Sequence, residues 1–208
     1  VKDENLEIAV IGLGYVGLPL ALAFSKFYPV IGYDINAERV DELNSGYDRT
    51  REVDPNQLNE NQNIKFSYDL ASLKTVCIYI VTVPTPITTE RKPDLKLLIE
   101  ATSQIGKLLN YGDFVIYEST VYPGATEEEC IPLLETISNL NCNIDFHVGY
   151  SPERINPGDK QNTLASIKKI TSGSNKRAAK FVDELYSKII TAGTYKAVSY
   201  THLRAHET

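Results

Sequence analysis

The sequence predicts a doubly wound α/β fold built on a mostly parallel sheet. Three observations carry that expectation. Apolar periodicity switches between strand-like and helix-like along nearly the whole chain, the strand-like runs are apolar at consecutive positions, and a glycine-rich turn joins the first strand to the first helix. Strands are expected at residues 6–11, 30–33, 64–67, 76–81, 114–117, 146–149 and 168–171. Helices are expected near 16–27, 37–44, 55–60, 95–110, 127–140 and 176–187. Runs such as "VCIYIV" leave no polar face, so both of their sides should be covered, as those of parallel strands are. Several helix starts carry their own signals: Asn36 before "AERV", Asp94 after Pro93, and "TEEE" at 126–129, which reads as a capping box.

Composition narrows the partners. A formal net charge of −6 argues against a nucleic-acid binder, which needs a basic face, but leaves room for a small anion held by a local donor cluster. No apolar run is long enough to span a bilayer and no signal-peptide pattern opens the chain. Cys77, Cys130 and Cys142 are odd in number and lack metal-ligand spacing, which fits a reducing cytoplasm and no metal site. The chain holds no methionine, not even at position 1, and the stretch "VSYTHLRAHET" at 198–208 follows neither periodicity. It resembles an adapter sequence read through in one frame. The expectation is therefore one domain over 1–197, cut from a longer chain, with a non-native tail over 198–208 that removes His202 and His206 from functional reasoning.

The turn "GLGYVG" places Gly12, Gly14 and Gly17 directly after a strand and at the start of a helix, the context that a dinucleotide-binding G-x-G-x-x-G needs. Gly12 permits the tight turn, Gly14 lets backbone approach a diphosphate, and Gly17 lets helix pack on strand. Tyr15 and Val16 fall within the same loop. The helix N-terminus then presents amide donors and a positive dipole end to the diphosphate. An acid about 20 residues on should hold the adenosine ribose, and Asp34 in "VIGYDIN" stands there. Its charge repels a 2′-phosphate, so NAD is expected over NADP. Arg39 is carried as a further cofactor-side candidate without being needed for a phosphate. The bland alternative is a structural turn beside a solvated aspartate.

Three loops stand out: 44–55, 82–93 and 150–159. The last two follow expected strands directly, where open α/β sheets bind their ligands. With "GLGYVGLPLA" in place, "VTVPTP", "ESTVYPG" and "SPERINPGD" follow in order, and together they resemble the amino-terminal half of the UDP-sugar 6-dehydrogenases. "RTREV" and "SPERINPGD", with Pro157 where UDP-glucose enzymes tend to carry an acid, look closer to the UDP-N-acetylhexosamine branch. The resemblance implies a Rossmann-like NAD-binding domain and oxidation of a UDP-sugar C6 alcohol to a carboxylate with two NAD, through a cysteine-bound thioester. It also implies a homodimer or larger assembly.

It further implies roles for single residues. Val83, Pro84 and Thr85 would lie beside the cofactor, the prolines stiffening their loop; without a ligand they would form only a rigid turn. Thr120 matches a threonine near the nicotinamide and the reaction water, although Ser119 and Thr120 could equally be hydroxyls satisfying strand-end backbone. Glu153 matches the glutamate credited with thioester hydrolysis, with Arg154 and Asn156 as substrate-side candidates; on residue chemistry alone, Glu153 and Arg154 could be an exposed ion pair. Arg49 and Arg51 would close over the cofactor or sugar diphosphate, or else be solvated. The three glutamates at 127–129 read as helix-start electrostatics, and His147 as a satisfied core residue.

None of the three cysteines suits a nucleophile, and the family's catalytic cysteine, lysine and asparagine would come from beyond position 208. The expectation is a chain that binds NAD without turning over a UDP-sugar. UDP-glucose oxidation is the nearest alternative, a non-catalytic dinucleotide-binding module the alternative of a different class. A hydroxyacid dehydrogenase with a histidine base is a third, for which no histidine is well placed.

Overall fold

The computed structural model describes residues 6–59, 61–87, 90, 92–122, 124–152 and 164–197. In chain order the elements are β1 (Ile8–Ile11), α1 (Gly17–Ser25), β2 (Val30–Tyr33), α2 (Ala37–Asn44), α3 (Pro55–Asn59), β3 (Ile64–Ser67), β4 (Ile78–Val81), α4 (Lys96–Gly106), β5 (Phe114–Tyr117), α5 (Ile131–Ser138), β6 (His147–Tyr150), β7 (Lys169–Gly173), α6 (Lys176–Ser187) and β8 (Thr194–Lys196). They build one eight-stranded sheet in the order β3-β2-β1-β4-β5-β6-β7-β8. Neighbours run parallel except β6 and β7, which pair antiparallel through Gly149–Gly173 and Tyr150–Ser172. The doubly wound, mostly parallel sheet expected from the periodicity is the one found.

Alternate strand residues feed two cores. Ile8, Val10, Ile78, Ile80, Phe114 and Ile116 face one way, packing against Leu18 and Phe24 of α1 and Val182 and Tyr186 of α6. Ala9, Ile11, Tyr79, Val81, Val115 and Tyr117 face the other, against Leu98 and Ile105 of α4 and Leu134 of α5. That is why these runs show no polar alternation. At about 25 cal/mol per Å² of apolar area, each fully buried Ile, Leu or Phe contributes about 2 kcal/mol before entropy is counted. Among the described residues no helix is long and apolar enough to cross a membrane.

Two local expectations change. "TEEE" does not form a capping box. Gly124 turns at φ +100°, Ala125 takes the N-cap position without a side-chain cap, and Thr126 is buried inside a wide π turn, Thr126–Cys130, that runs on into α5. A threonine in helical conformation cannot cap the helix that contains it. The glutamates still occupy the first turn, where the dipole favours them. The second change is β8, three residues beside β7, together with a 3₁₀ turn at Leu70–Leu73 capped by Asp69; both are too short for periodicity to reveal.

A candidate cofactor cleft at the switch point of the sheet

β1 has β2 on one side and β4 on the other, so the chain's winding reverses there and leaves a crevice beyond the carboxyl ends of the strands. A cavity of about 560 Å³ occupies it. It is lined by residues 11–16, 33–35, 82–86 and 118–120 and by Leu97, Glu100, Ala101 and Gln104 of α4. Its walls come from four successive strand ends and one helix face.

Glycine is required here by contact as well as by conformation. A Cβ on Gly17 would lie 1.8 Å from the Gly12 carbonyl oxygen and 2.4 Å from the Thr82 hydroxyl, so α1 seats directly on the end of β1. Gly12 itself turns at φ +95°. The Thr82 hydroxyl donates to the Gly12 and Ile11 carbonyls, at 2.7 and 3.0 Å, and clamps the turn from β4. A Cβ on Gly14, by contrast, would meet nothing within 4 Å, and Gly14 lines the cavity. Val16, at the N-terminus of α1, has no side-chain cap, and the residues of that first turn line the cavity. A diphosphate fits this arrangement: open space in front of Gly14, amide donors, and the positive end of a helix.

Asp34, at the end of β2, lines the cavity with both carboxylate oxygens oriented. Oδ2 accepts from the Leu13 amide at 2.8 Å and Oδ1 from the Asn36 amide at 2.9 Å. A carboxylate oxygen has two lone pairs, so each keeps one for a ribose hydroxyl. On the α4 side, the Tyr33 hydroxyl donates to Gln104 at 3.2 Å, and burial raises its pKa, with Asp34 and Asp69 adding to the shift.

Arg39, a cofactor-side candidate from sequence, is not among the residues lining the cavity. Its guanidinium is buried behind the glycine loop, donating to the Leu13 carbonyl at 2.9 Å and to Asp48 at 2.7 Å. It thus braces the loop from the far side. Burial pushes the Asp48 carboxyl up, but hydrogen bonds from Thr50 and Arg39 outweigh it and hold it below the ordinary carboxylate value. Asp48 also accepts the amides of Glu52 and Val53, which folds the loop after α2 around one carboxylate. The sequence reading assigned Asp48 no role, although an aspartate followed by Thr at i+2 is a recognisable turn signal.

The loops after β4 and β5 are stitched together. The Ser119 hydroxyl donates to the Val83 carbonyl at 2.6 Å, and the Thr85 hydroxyl to the Thr120 carbonyl. For Ser119, backbone satisfaction is therefore its role in this structure. Thr120 offers its carbonyl to the stitch while its side chain is exposed at the cavity. Glu118 is wholly buried and ion-paired to Lys169 at 2.6 Å. Lys169 carried no functional expectation, since it is a lysine in a short run with no motif.

Glu153, Arg154 and Asn156 lie outside the described residues. Arg49 pairs with Glu42 at 2.5 Å, and Arg51 is exposed at φ 57°; neither lines the cavity. His147 is buried as expected, but its Nδ1 finds no hydrogen-bond partner among the described residues. It tilts against Phe114 with ring centroids 5.0 Å apart, and burial, with Arg177 adding, lowers its pKa. Burial raises all three thiols, Cys130 to about 11, which keeps them protonated and poorly nucleophilic at neutral pH.

The decisive comparison is with a protein family. Residues 6–190 match the UDP-glucose/GDP-mannose dehydrogenase family, NAD binding domain. The chain belongs to this family. The matched domain is NAD-binding, so NAD is the cofactor, and the glycine loop, the open space at Gly14 and Asp34 fit that molecule. A UDP-N-acetyl-D-glucosamine 6-dehydrogenase of Pseudomonas aeruginosa is 56% identical over 196 residues, 94% of this chain and 46% of that protein. Its counterpart in Salmonella typhi is 54% identical over the same shares. Among solved structures, the UDP-D-ManNAc dehydrogenase of Pyrococcus horikoshii superposes with a TM-score of 0.87 at 33% identity, covering 94% of this chain and 48% of that one. The chain thus spans about half the length of the curated relatives it matches.

Proposed function

We propose that this chain is the NAD-binding half of a UDP-N-acetylhexosamine 6-dehydrogenase, oxidising the C6 alcohol of a UDP-sugar to a carboxylate. UDP-GlcNAc is the preferred substrate. The observation that carries the reading is the identity of 54–56% to proteins named UDP-N-acetyl-D-glucosamine 6-dehydrogenase, against 35% to a UDP-N-acetyl-D-mannosamine dehydrogenase. Bound NAD supplies the hydride acceptor. The chain's own part is positional. Gly12, Gly14, Tyr15, Val16 and Gly17 seat the diphosphate; Asp34 orients the adenosine ribose; Val83, Pro84, Thr85 and Thr120 hold the opposite end. Fixing those groups before binding lowers the entropy lost when the cofactor docks. Glu153 would activate water for hydrolysis of the acyl intermediate, and Arg154 and Asn156 would hold substrate. Residues 1–197 would form one domain, the working protein would be a cytoplasmic homodimer or larger, and 198–208 would take no part.

Calorimetry of the 208-residue chain with NAD tests the cofactor half: binding is expected, with no NADH formed on adding any UDP-sugar. Asp34→Asn should weaken NAD about tenfold and narrow the preference over NADP, the equivalent of one charge-assisted hydrogen bond. Activity of the protein carried to the length of its relatives, measured on UDP-GlcNAc, UDP-ManNAc and UDP-glucose, tests the substrate. A preference for UDP-glucose would move the chain out of the acetamido branch. Unchanged NAD affinity in Arg51→Ala would remove the idea that this arginine closes over the cofactor.

A further inference from the structure

The carboxyl-terminal third of the described chain has no part in the cofactor reading, yet one of its lysines pairs with Glu118, which lines the cleft. β7 runs antiparallel to β6, so its first residue, Lys169, lies at the edge where β5 and β6 end. There its Nζ bonds Glu118 Oε2 at 2.6 Å and the Pro152 carbonyl at 3.3 Å. Tyr186 of α6 donates its hydroxyl to the other oxygen of Glu118 and lies under the ammonium, 5.8 Å from ring centroid to Nζ. Lysine and glutamate are rarely buried to this degree, with side chains 5% and 0% exposed. Such pairs add little net stability compared with apolar packing, so their usefulness lies in fixing one geometry. What is fixed here is the residue immediately before Ser119 and Thr120, which close the end of the cavity opposite Asp34.

We propose that Lys169, through Glu118 and with Tyr186, is a positioning residue for the nicotinamide end of the NAD site. The proposal rests on the cofactor reading above: with adenosine at Asp34 and the diphosphate at the glycine loop, the nicotinamide is left to extend towards Thr120. Lys169 touches no cofactor atom itself. It sets where the end of β5 lies, and the stitch from Ser119 to Val83 passes that position to the loop after β4.

The test is calorimetry of the 208-residue chain with NAD and with ADP-ribose, which lacks the nicotinamide, at a temperature where circular dichroism finds every variant folded. Wild type should bind NAD more tightly than ADP-ribose. Lys169→Met takes the ammonium away from the buried Glu118 carboxylate, which keeps the Tyr186 hydroxyl. It should weaken NAD about tenfold while leaving ADP-ribose within about twofold, and should lower the denaturant midpoint. The double variant Lys169→Met/Glu118→Gln removes both charges. Its midpoint should recover while the NAD preference stays lost. Equal weakening of both ligands, or a preference that returns together with the midpoint, would overturn the proposal, as would a wild-type chain indifferent to the nicotinamide. A wild-type chain that binds neither ligand would instead overturn the cofactor reading itself.

Discussion

Gly14 and Gly17 are three residues apart in one motif, and their substitution should fail for different reasons. A methyl group on Gly17 meets backbone, the Gly12 carbonyl, so Gly17→Ala must displace α1 from β1. A loss of about 2–3 kcal/mol in denaturant unfolding is expected, with NAD binding lost alongside. A methyl group on Gly14, which lines the cavity, meets only open space. Gly14→Ala should unfold within about 1 kcal/mol of wild type and yet bind NAD at least tenfold more weakly in calorimetry. Far from the cleft, at the amino end of β5, burial pushes the Asp113 carboxyl from its ordinary 3.8 up to about 7, an amide bond from Asn110 offsetting only part of it. The folded chain thus retains a proton that the unfolded chain gives up near pH 4. The stability this group contributes is complete below that pH and is lost as pH rises to about 7. Asp113→Asn cannot titrate. Its unfolding free energy in urea should match wild type at pH 4 and exceed it by about 1–2 kcal/mol at pH 8.

Among elements, α2 and the loop after it work as a buttress. Asn36 caps α2 by accepting the Arg39 amide, which fixes the helix start and so the azimuth at which Arg39 leaves it. From there one guanidinium reaches the Leu13 carbonyl and Asp48, joining the glycine loop to a segment 35 residues away in sequence. Asp48→Asn leaves Arg39 buried beside a neutral amide. It should cost about 2–3 kcal/mol at pH 7. Because the folded-state pKa of Asp48 lies below its unfolded value, the wild-type advantage exists above the unfolded pKa and disappears as pH falls through the folded one. Urea midpoints of the two proteins should therefore converge in acid.

At the scale of the whole molecule, the cleft draws on the ends of β1, β2, β4 and β5 and on α4, whose other residues belong to the two cores. A ligand bound there touches every layer of the fold, so it should stabilise the chain as one unit. NAD at about 100 times its Kd adds about 2.7 kcal/mol to the folded state, which for a chain of this size is about 5–10 °C in Tm. Thermal unfolding with and without NAD measures this directly. A shift confined to one spectroscopic probe would mean that the glycine-loop half unfolds apart from the rest.

Fold class, the run of strands and helices, and the cofactor loop were legible in the residues because each depends on local chemistry. Periodicity marks buried strands, and glycines at 12, 14 and 17 between a strand and a helix leave few other conformations open. Spacing alone put Asp34 at the end of the second strand, where it lines the cavity. What sequence could not reveal has no local signature. Arg39 looked like a cofactor ligand and is a buttress, because only packing decides which side of the loop a long side chain reaches. "TEEE" looked like a cap and became the interior of a helix, because a turn at Gly124 starts the coil earlier. Lys169 looked like any lysine in a short strand; it faces Glu118, 51 residues away, only because β7 enters the sheet reversed. Strand direction is set by how the sheet closes, a property of the assembled chain that no window of residues carries.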